Sequence, residues 1–295
     1  MQIGIKNVTV SVIIVGLSIA GFSEEPGHGT VLDQTTRIGA VAYSPAAVTI
    51  FEGITHYLNQ NGLPSDYVLY SNYDSLVAAL DRGEVDIAWN TPLAHAQYHV
   101  KNECSSQTLV MRDVDVGVRS VLVARVGLKI KSPADLAGRK LVLGSSQAAE
   151  ATVLPLHFLK NGGFDFDNVT IVSLDAEVDG QGNPCASPQH VLQALRDRRG
   201  DAGIITANLW NRIKDEAFAR DSLELVWTSP AFSHCVFTAA ADFDNQRATR
   251  FTQLMQNMDP GERATADVMR LEGTKKWVPG NADGFKDLVE ALRDR

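Results

Sequence analysis

The sequence predicts an α/β chain folded as two lobes around a cleft. Three observations carry this reading. Apolar strands alternate with amphipathic helices along the chain. One helix, turn, strand and helix-start unit occurs twice. Two extended segments, one around Gly117 and one around Ser233, have the composition of hinge crossings. With 295 residues, 44% of them hydrophobic, the chain can bury a substantial core.

The N-terminus differs from the rest. After Lys6 the run "VTVSVIIVGLSIAGF", Val8 to Phe22, is apolar and is followed by polar "SEEPGHG". It is too short and too abruptly ended for a membrane span. It suits a signal-peptide core covering 1–22, with Ala20 and Gly21 near the cleavage point and a buried first strand as the alternative. No cysteine stands near Ala20, so a lipid anchor is not indicated.

The mature chain then reads strand by helix. "RIGAVAY" from Arg37 is a strand, and "SPAAVTIFEGITHYLNQNG" a helix with Ser44 as cap and Pro45 first in the helix. "DYVLYS" is a strand, and "DSLVAALDRG" a helix capped by Asp74 and stopped by Gly83. "VDIAW", a helix from about Pro92 and the strand "TLVMRD" follow, and "KLVLGSSQ" is a strand running into a turn and a helix.

Residues Leu76–Thr91 and Val191–Thr206 superpose without a gap. The match pairs Ala79 with Ala194, Leu80 with Leu195, Asp86 with Asp201 and Thr91 with Thr206. One such unit in each half implies two similar lobes. The expected division is 30–116 plus 236–295 for lobe I and 117–235 for lobe II. The segments Arg112–Arg125 and Thr228–Ala240 are the crossings.

In open α/β sheets ligands bind beyond the carboxyl ends of the strands. The loops "AYSP", "AWNTP", "GSSQ" and "IITAN" are therefore expected to converge on the cleft, which makes Tyr43, Ser44, Trp89, Asn90, Thr91, Ser145, Ser146 and Gln147 candidate binding residues. Asn90 can bond a ligand hydroxyl, and Trp89 either covers the ligand or belongs to the core.

"SPADLAGRKLVLGSSQAAEATVLPLHFLKNGGFD", "LVAALDRGEVDIAWNTPLAH", "QHVLQALRDRRGDAG" and "MDPGERATADVMRLEGTKKWVPGNADGF" together resemble the phosphonate-type periplasmic substrate-binding proteins over nearly the whole mature chain. The resemblance implies a type II periplasmic-binding-protein fold with a hinge and an interlobe cleft. It further implies a periplasmic location and a small oxyanion ligand handed to an ABC permease. The chain departs from those relatives where they carry a Ser-Thr-Ser run. Here Ala148, Ala149 and Glu150 precede Pro155. Each missing hydrogen bond to a charged acceptor removes about 1.5–3 kcal/mol, so the turn suits a neutral or singly charged, hydroxyl-bearing ligand better than a dianion. Glu150 either faces the cleft and repels anions, or faces solvent and complements the helix dipole.

The three cysteines, Cys104, Cys185 and Cys235, allow one disulfide at most. The chain also resembles the arsenite-sensing branch of the family, which presents its ligand to a membrane sensor kinase and carries a cysteine in the stretch matching "NECSSQTLVMRDVD". That resemblance implies arsenite as ligand and Cys104 as the thiolate on As(III), a soft centre. It is compatible with a Cys185–Cys235 pair that leaves Cys104 free. By topology alone Cys235 lies nearer the cleft and is the second candidate.

Other classes are excluded by what the sequence lacks. Net charge is −8 with no Lys/Arg block, so there is no nucleic-acid surface. No nucleophile elbow, phosphate loop or paired carboxylates at metal spacing mark an enzyme. His95, His190 and His234 are too far apart in sequence for a local zinc motif, and no cofactor is expected.

Overall fold

The computed structural model describes residues 31–175 and 187–294. The expected export signal, 1–22, and Cys185 lie outside the described residues. Two mixed sheets form two lobes. The first contains β1 (Thr36–Val41), β2 (Ser65–Tyr70), β3 (Ile87–Asn90), β4 (Gln107–Arg112), β10 (Val236–Ala239) and β11 (Trp277–Pro279), in the order β11-β4-β10-β3-β1-β2. β1 is parallel to β2 and β3, whereas β10 runs antiparallel between β3 and β4. One face is covered by α1 (Ala47–Gln60), α8 (Asn245–Gln256) and α9 (Arg263–Leu271), packed through Ile54, Phe251 and Met269. The other face meets α2 (Tyr73–Asp81) through Leu76 and Leu80, and α3 (Pro92–Lys101) through Tyr98.

The second sheet contains β5 (Ser120–Arg125), β6 (Lys140–Leu143), β7 (Thr170–Ser173), β8 (Ala202–Thr206) and β9 (Leu223–Thr228), in the order β7-β6-β8-β5-β9. Helices α4 (Leu154–Asn161), α5 (Pro188–Arg196), α6 (Ala207–Ile213) and α7 (Ala217–Ser222) belong to the same stretch of chain. Val191, Leu195 and Leu209 form the core between α5, α6 and this sheet.

The repeated sequence unit has a physical reason. In the first sheet the Arg37 N–H donates to Asp86 Oδ2 at 2.8 Å, and in the second the Lys140 N–H donates to Asp201 Oδ2 at 2.9 Å. Each aspartate thus fixes the register of a parallel strand pair just ahead of its own strand. Thr91 and Thr206 then cap the next helices by accepting the Ala94 and Leu209 N–H groups. A glycine lies under each unit's helix, on the neighbouring strand β1 in the first case and on the unit's own β8 in the second. A Cβ on Gly39 would stand 2.5 Å from Leu76, and one on Gly203 2.7 Å from Val191.

Two helix starts differ from expectation. α1 begins at Ala47 with Ala46 at the cap, so Ser44 does not cap it and only its carbonyl accepts the Ala47 N–H. The Asn72 side chain caps α2 by accepting from the Ser75 N–H at 2.9 Å, which places Asp74 within the first turn, where its charge suits the helix dipole. Between Ser145 and α4, one wide turn, Ala149–Val153, precedes Leu154.

The two connections between the sheets run antiparallel. Val118 and Phe232 exchange both backbone hydrogen bonds at 2.9 Å, and the His234 N–H donates to the Asp115 carbonyl at 2.8 Å. Beside them α10 (Lys286–Arg293) packs against both α3 and α4. Leu93, Val153, Leu154, Phe232, Leu288 and Ala291 close one apolar cluster that joins the lobes behind the cleft.

Asp86 does more than Asp201. It also pairs with Arg247, which is buried and bonds Thr36 and the Thr35 carbonyl. Asp86→Ala should therefore cost roughly 2–4 kcal/mol, because a buried guanidinium loses its carboxylate, against about 1 kcal/mol for Asp201→Ala. Urea unfolding of the two variants checks the order.

Candidate functional site

A cleft of about 790 Å³ opens between the lobes. Tyr43, Tyr73 and Thr91 line it from the first lobe, Ser145, Gln147 and Glu150 from the second, and His234 from a crossing segment. A continuous polar chain connects Tyr43, His234 and Glu150 of its lining through residues behind it. The Tyr43 hydroxyl donates to Glu272 Oε1 at 2.6 Å. Arg112 Nη1 donates to Glu272 Oε2 at 3.0 Å, and Arg112 Nε and Nη2 grip Asp115 at 2.6 and 3.0 Å. Asp115 Oδ1 stands 3.1 Å from His234 Nδ1, and His234 Nε2 faces Glu150 at 3.5 Å. The chain thus runs from the end of β1 to the wide turn before α4, across the hinge.

Local structure places each member. Arg112 ends β4, and the short turn Asp113–Asp115 brings Asp115 back beneath its guanidinium. The guanidinium also lies over Trp89, 5.4 Å from the ring centroid, so its apolar side is packed while all its charge is bonded. Glu272 follows α9 directly. His234 is held opposite Asp115 by the backbone pairing of the two crossings.

Charge in this chain is set by competition between burial and partners. For Arg112 burial opposes the charged form, but the bonds to Asp115 and the surrounding negative groups outweigh it and raise the pKa above the ordinary range. For His234 burial also opposes charge. The neighbouring Cys235 and the bonds to Asp115 and Glu150 win, lifting it well above an ordinary histidine. Burial pushes the Asp115 and Glu150 carboxyls up, and their partners, His234 with Arg112 and His234 respectively, bring both below the usual carboxylate values. Glu272 goes the other way, because its burial exceeds the help from Arg112 and Tyr43. Tyr43 is held far above an ordinary phenol, by burial first and then by the adjacent Glu272. The site therefore presents an imidazolium clamped between two carboxylates.

The sequence-predicted residues separate into three groups. Tyr43, Thr91, Ser145 and Gln147 stand in the cleft, although the Tyr43 hydroxyl is committed to Glu272. Trp89 and Asn90 are buried behind it. Trp89 stacks in the core with Phe237 and Trp277 at 4.6 and 5.7 Å, so it does not cover a ligand. Asn90 is 1% exposed, and neither its Oδ1 nor its Nδ2 has a hydrogen-bond partner. Ser44 and Ser146 are outside the cleft lining, and the Ser146 N–H is spent on Asp175 Oδ1 at 2.7 Å. The loop "IITAN" does not reach the lining either.

The cysteines correct the reading that favoured Cys104. α3 starts at the cleft with Pro92 and carries the chain about 15 Å away over ten residues before Cys104. There Cys104 lines a different hollow, with His99, Lys286 and Arg293, and Arg293 Nη2 donates to its Sγ at 2.7 Å. Cys235 is the cysteine nearer the cleft: it is outside the lining, but its Sγ stands 3.2 Å from Nδ1 of His234, which lines it. Cys104 and Cys235 are both free thiols among the described residues, which do not include Cys185. Asp115, His234 and Cys235 offer three ligand atoms within 4.8 Å of one another, with Asp115 already gripped by Arg112.

Arg112, Asp115, His234 and Glu272 were not among the sequence candidates. The available signal was their position: Asp115 and His234 fall in the two segments read as crossings, and crossings border a cleft by construction. Glu150 was left open between cleft and solvent. It faces the cleft, opposite His234.

Comparison with known proteins agrees with this architecture. The probable ABC transporter phosphite-binding protein PhnD1 of Prochlorococcus marinus (strain MIT 9301) is 21% identical over 238 residues, 77% of each chain. The structure of that PhnD1 with methylphosphonate superposes with a TM-score of 0.64 at 18% identity, covering 88% of this chain and 97% of the other. The Xanthomonas citri protein XAC2383, bound to chloride ion, superposes with a TM-score of 0.68 at 15% identity, covering 88% and 98%. Residues 39–285 match the family described as ABC transporter, phosphonate, periplasmic substrate-binding protein. The chain with this hinged, charge-clamped cleft belongs to that family of periplasmic substrate-binding proteins.

Proposed function

We propose that this chain captures a small polar solute in the periplasm and delivers it to an ABC permease, and that its cleft selects a neutral or singly charged, hydroxyl-bearing ligand over a dianion. The observation that carries the selectivity is the state of His234. Among the described residues of the lining it is the cation, and Asp115 and Glu150 already hold it. Ala148 and Ala149 add no hydroxyl to the lining. A second negative charge on the ligand would meet Glu150 in a partly dry cleft, where like charges a few ångströms apart repel by several kcal/mol. A phosphite or phosphonate monoanion meets one charge less and can donate its own hydroxyl to a carboxylate.

Arsenite presented to a sensor kinase is a second reading, and one observation favours it. The Cys235 thiol stands beside His234, which lines the cleft, and As(III) prefers sulfur. In this reading the thiolate ligand is Cys235, not Cys104.

Calorimetry under reducing conditions separates the two. Phosphite and methylphosphonate are expected to bind more tightly than sulfate, which stays a dianion, with the preference growing as pH falls and the first two take up a proton. Glu150→Ser should raise phosphate affinity roughly tenfold, or about 1.4 kcal/mol. Equal phosphate binding by parent and Glu150→Ser would defeat the charge argument. Arsenite binding that exceeds phosphite binding and vanishes in Cys235→Ser would install the second reading.

Asn90 supplies a check on the lobe behind the cleft. Its amide is buried without a partner and costs stability. Asn90→Leu should leave the unfolding midpoint unchanged or higher and leave ligand binding unchanged, as calorimetry and urea unfolding of the variant check.

The clamp also predicts a pH profile. A histidine pKa raised on folding adds stability that is complete below its unfolded value and is lost as pH rises through the folded value. The lowered Asp115 and Glu150 act oppositely, adding stability above the ordinary carboxylate range that is lost as pH falls through their folded values. Denaturant stability should therefore peak between about pH 4.5 and 6.5 and decline on the alkaline side. His234→Gln should flatten the alkaline decline.

A further inference from the structure

The wide turn that carries Glu150 is short of one backbone donor. Within it the Val153 N–H donates to the Ala148 carbonyl at 3.1 Å and the Leu154 N–H to the Ala149 carbonyl, five residues back in both cases. The next bond of that series would run from residue 155 to the Glu150 carbonyl. Residue 155 is proline and has no N–H, so the series stops one bond early.

The missing donor comes from the hinge. Ser120, first in β5 and fully buried, donates its hydroxyl to the Glu150 carbonyl at 2.6 Å. Its own backbone is pinned in turn. The Ser120 N–H donates to Ser229 Oγ and the Ser229 N–H to the Ser120 carbonyl, both at 2.9 Å, while the buried Ser229 hydroxyl donates to the Pro230 carbonyl at 2.7 Å. Ser120 belongs to the first crossing and Ser229 to the second, so one hydroxyl ties both to the turn. The neighbours of Glu150 in the turn, Ala149 and Val153, are held by apolar packing, which has no direction of its own. The directional contact is the one from Ser120.

The consequence falls on the Glu150 side chain, whose carboxylate faces His234 at 3.5 Å from the same residue. A carboxylate on a loose turn can swing aside for a dianion. One whose backbone is fixed stays where it repels. We propose that Ser120 is a positioning residue for ligand selection: it lies outside the cleft lining, and by bonding the Glu150 carbonyl it holds the Glu150 charge in the cleft. The proposal rests on the charge selectivity argued above for Glu150.

The test compares the parent, Ser120→Ala, Glu150→Gln and the double variant, each as the whole mature chain. Hydrogen exchange of the ligand-free protein reads the turn directly, and Ser120→Ala should speed exchange of the Val153 and Leu154 amides roughly tenfold or more. Calorimetry with phosphite and with sulfate reads the selectivity. Ser120→Ala should lower the preference for phosphite over sulfate roughly three- to tenfold, in the same direction as Glu150→Gln, and should lower it no further once Glu150 is already glutamine. A merely structural role would weaken both ligands alike and keep their ratio at the parent value, which overturns the proposal. Unchanged exchange at Val153 and Leu154 overturns it too, as does an equal loss of preference in the Glu150→Gln background. If Glu150→Gln alone leaves the ratio at the parent value, the charge selectivity itself fails and the role of Ser120 falls with it, a result that the Glu150→Gln arm tells apart from the others.

Discussion

The Arg112 guanidinium is the contact on which the cleft depends. It joins Asp115 of one crossing to Glu272 behind the first lobe, and lies on Trp89 at the centre of that lobe's core. Through Asp115 it sets the position and charge of His234, and through Glu272 it holds Tyr43. A lysine in its place could not grip Asp115 with two parallel bonds and bond Glu272 with a third group. Without that fork two buried carboxylates would lose their main counter-charge, which is far costlier than losing an exposed ion pair.

This arrangement bears on the hydroxyl-rich turn that the family resemblance implies and that this chain lacks. Selectivity in such a cleft need not come from counting donors. In the function proposed it comes equally from a fixed negative group, Glu150, that makes the wrong charge state unfavourable. Among the hydroxyl side chains of the lining, Thr91 and Ser145 are placed by a helix cap and a turn, so they are oriented before any ligand arrives.

Much of the fold was legible because its signals are local. The repeat containing Asp86 and Asp201 shows in the sequence because each aspartate acts on the strand next to its own, with the same spacing both times. Tyr43, Thr91, Ser145 and Gln147 could be placed because strand ends face the cleft in layered α/β folds. The polar chain could not be read, since Arg112, His234 and Glu272 are far apart in sequence and meet only through β10 and α9. His234 looked ordinary for that reason. Cys104 was misplaced because likeness of a short stretch outweighed strand direction, which already set it at the wrong end of α3. Trp89 and Asn90 follow the same lesson: a residue at a strand end faces the cleft only if the pleat turns it that way.

The position of β10 has a consequence for how the chain is made. It lies in the interior of the first sheet, between β3 and β4, but it is synthesised only after all of β5 to β9. The second sheet is one uninterrupted stretch and can fold as soon as it emerges. The first must hold β3 and β4 apart, with open edges, until the whole second sheet has followed. Such long-range closure slows folding and leaves sticky strands exposed. That delay would suit export in the unfolded state, the route that the apolar N-terminal run predicts, because the lobe that starts the chain is the last to become rigid.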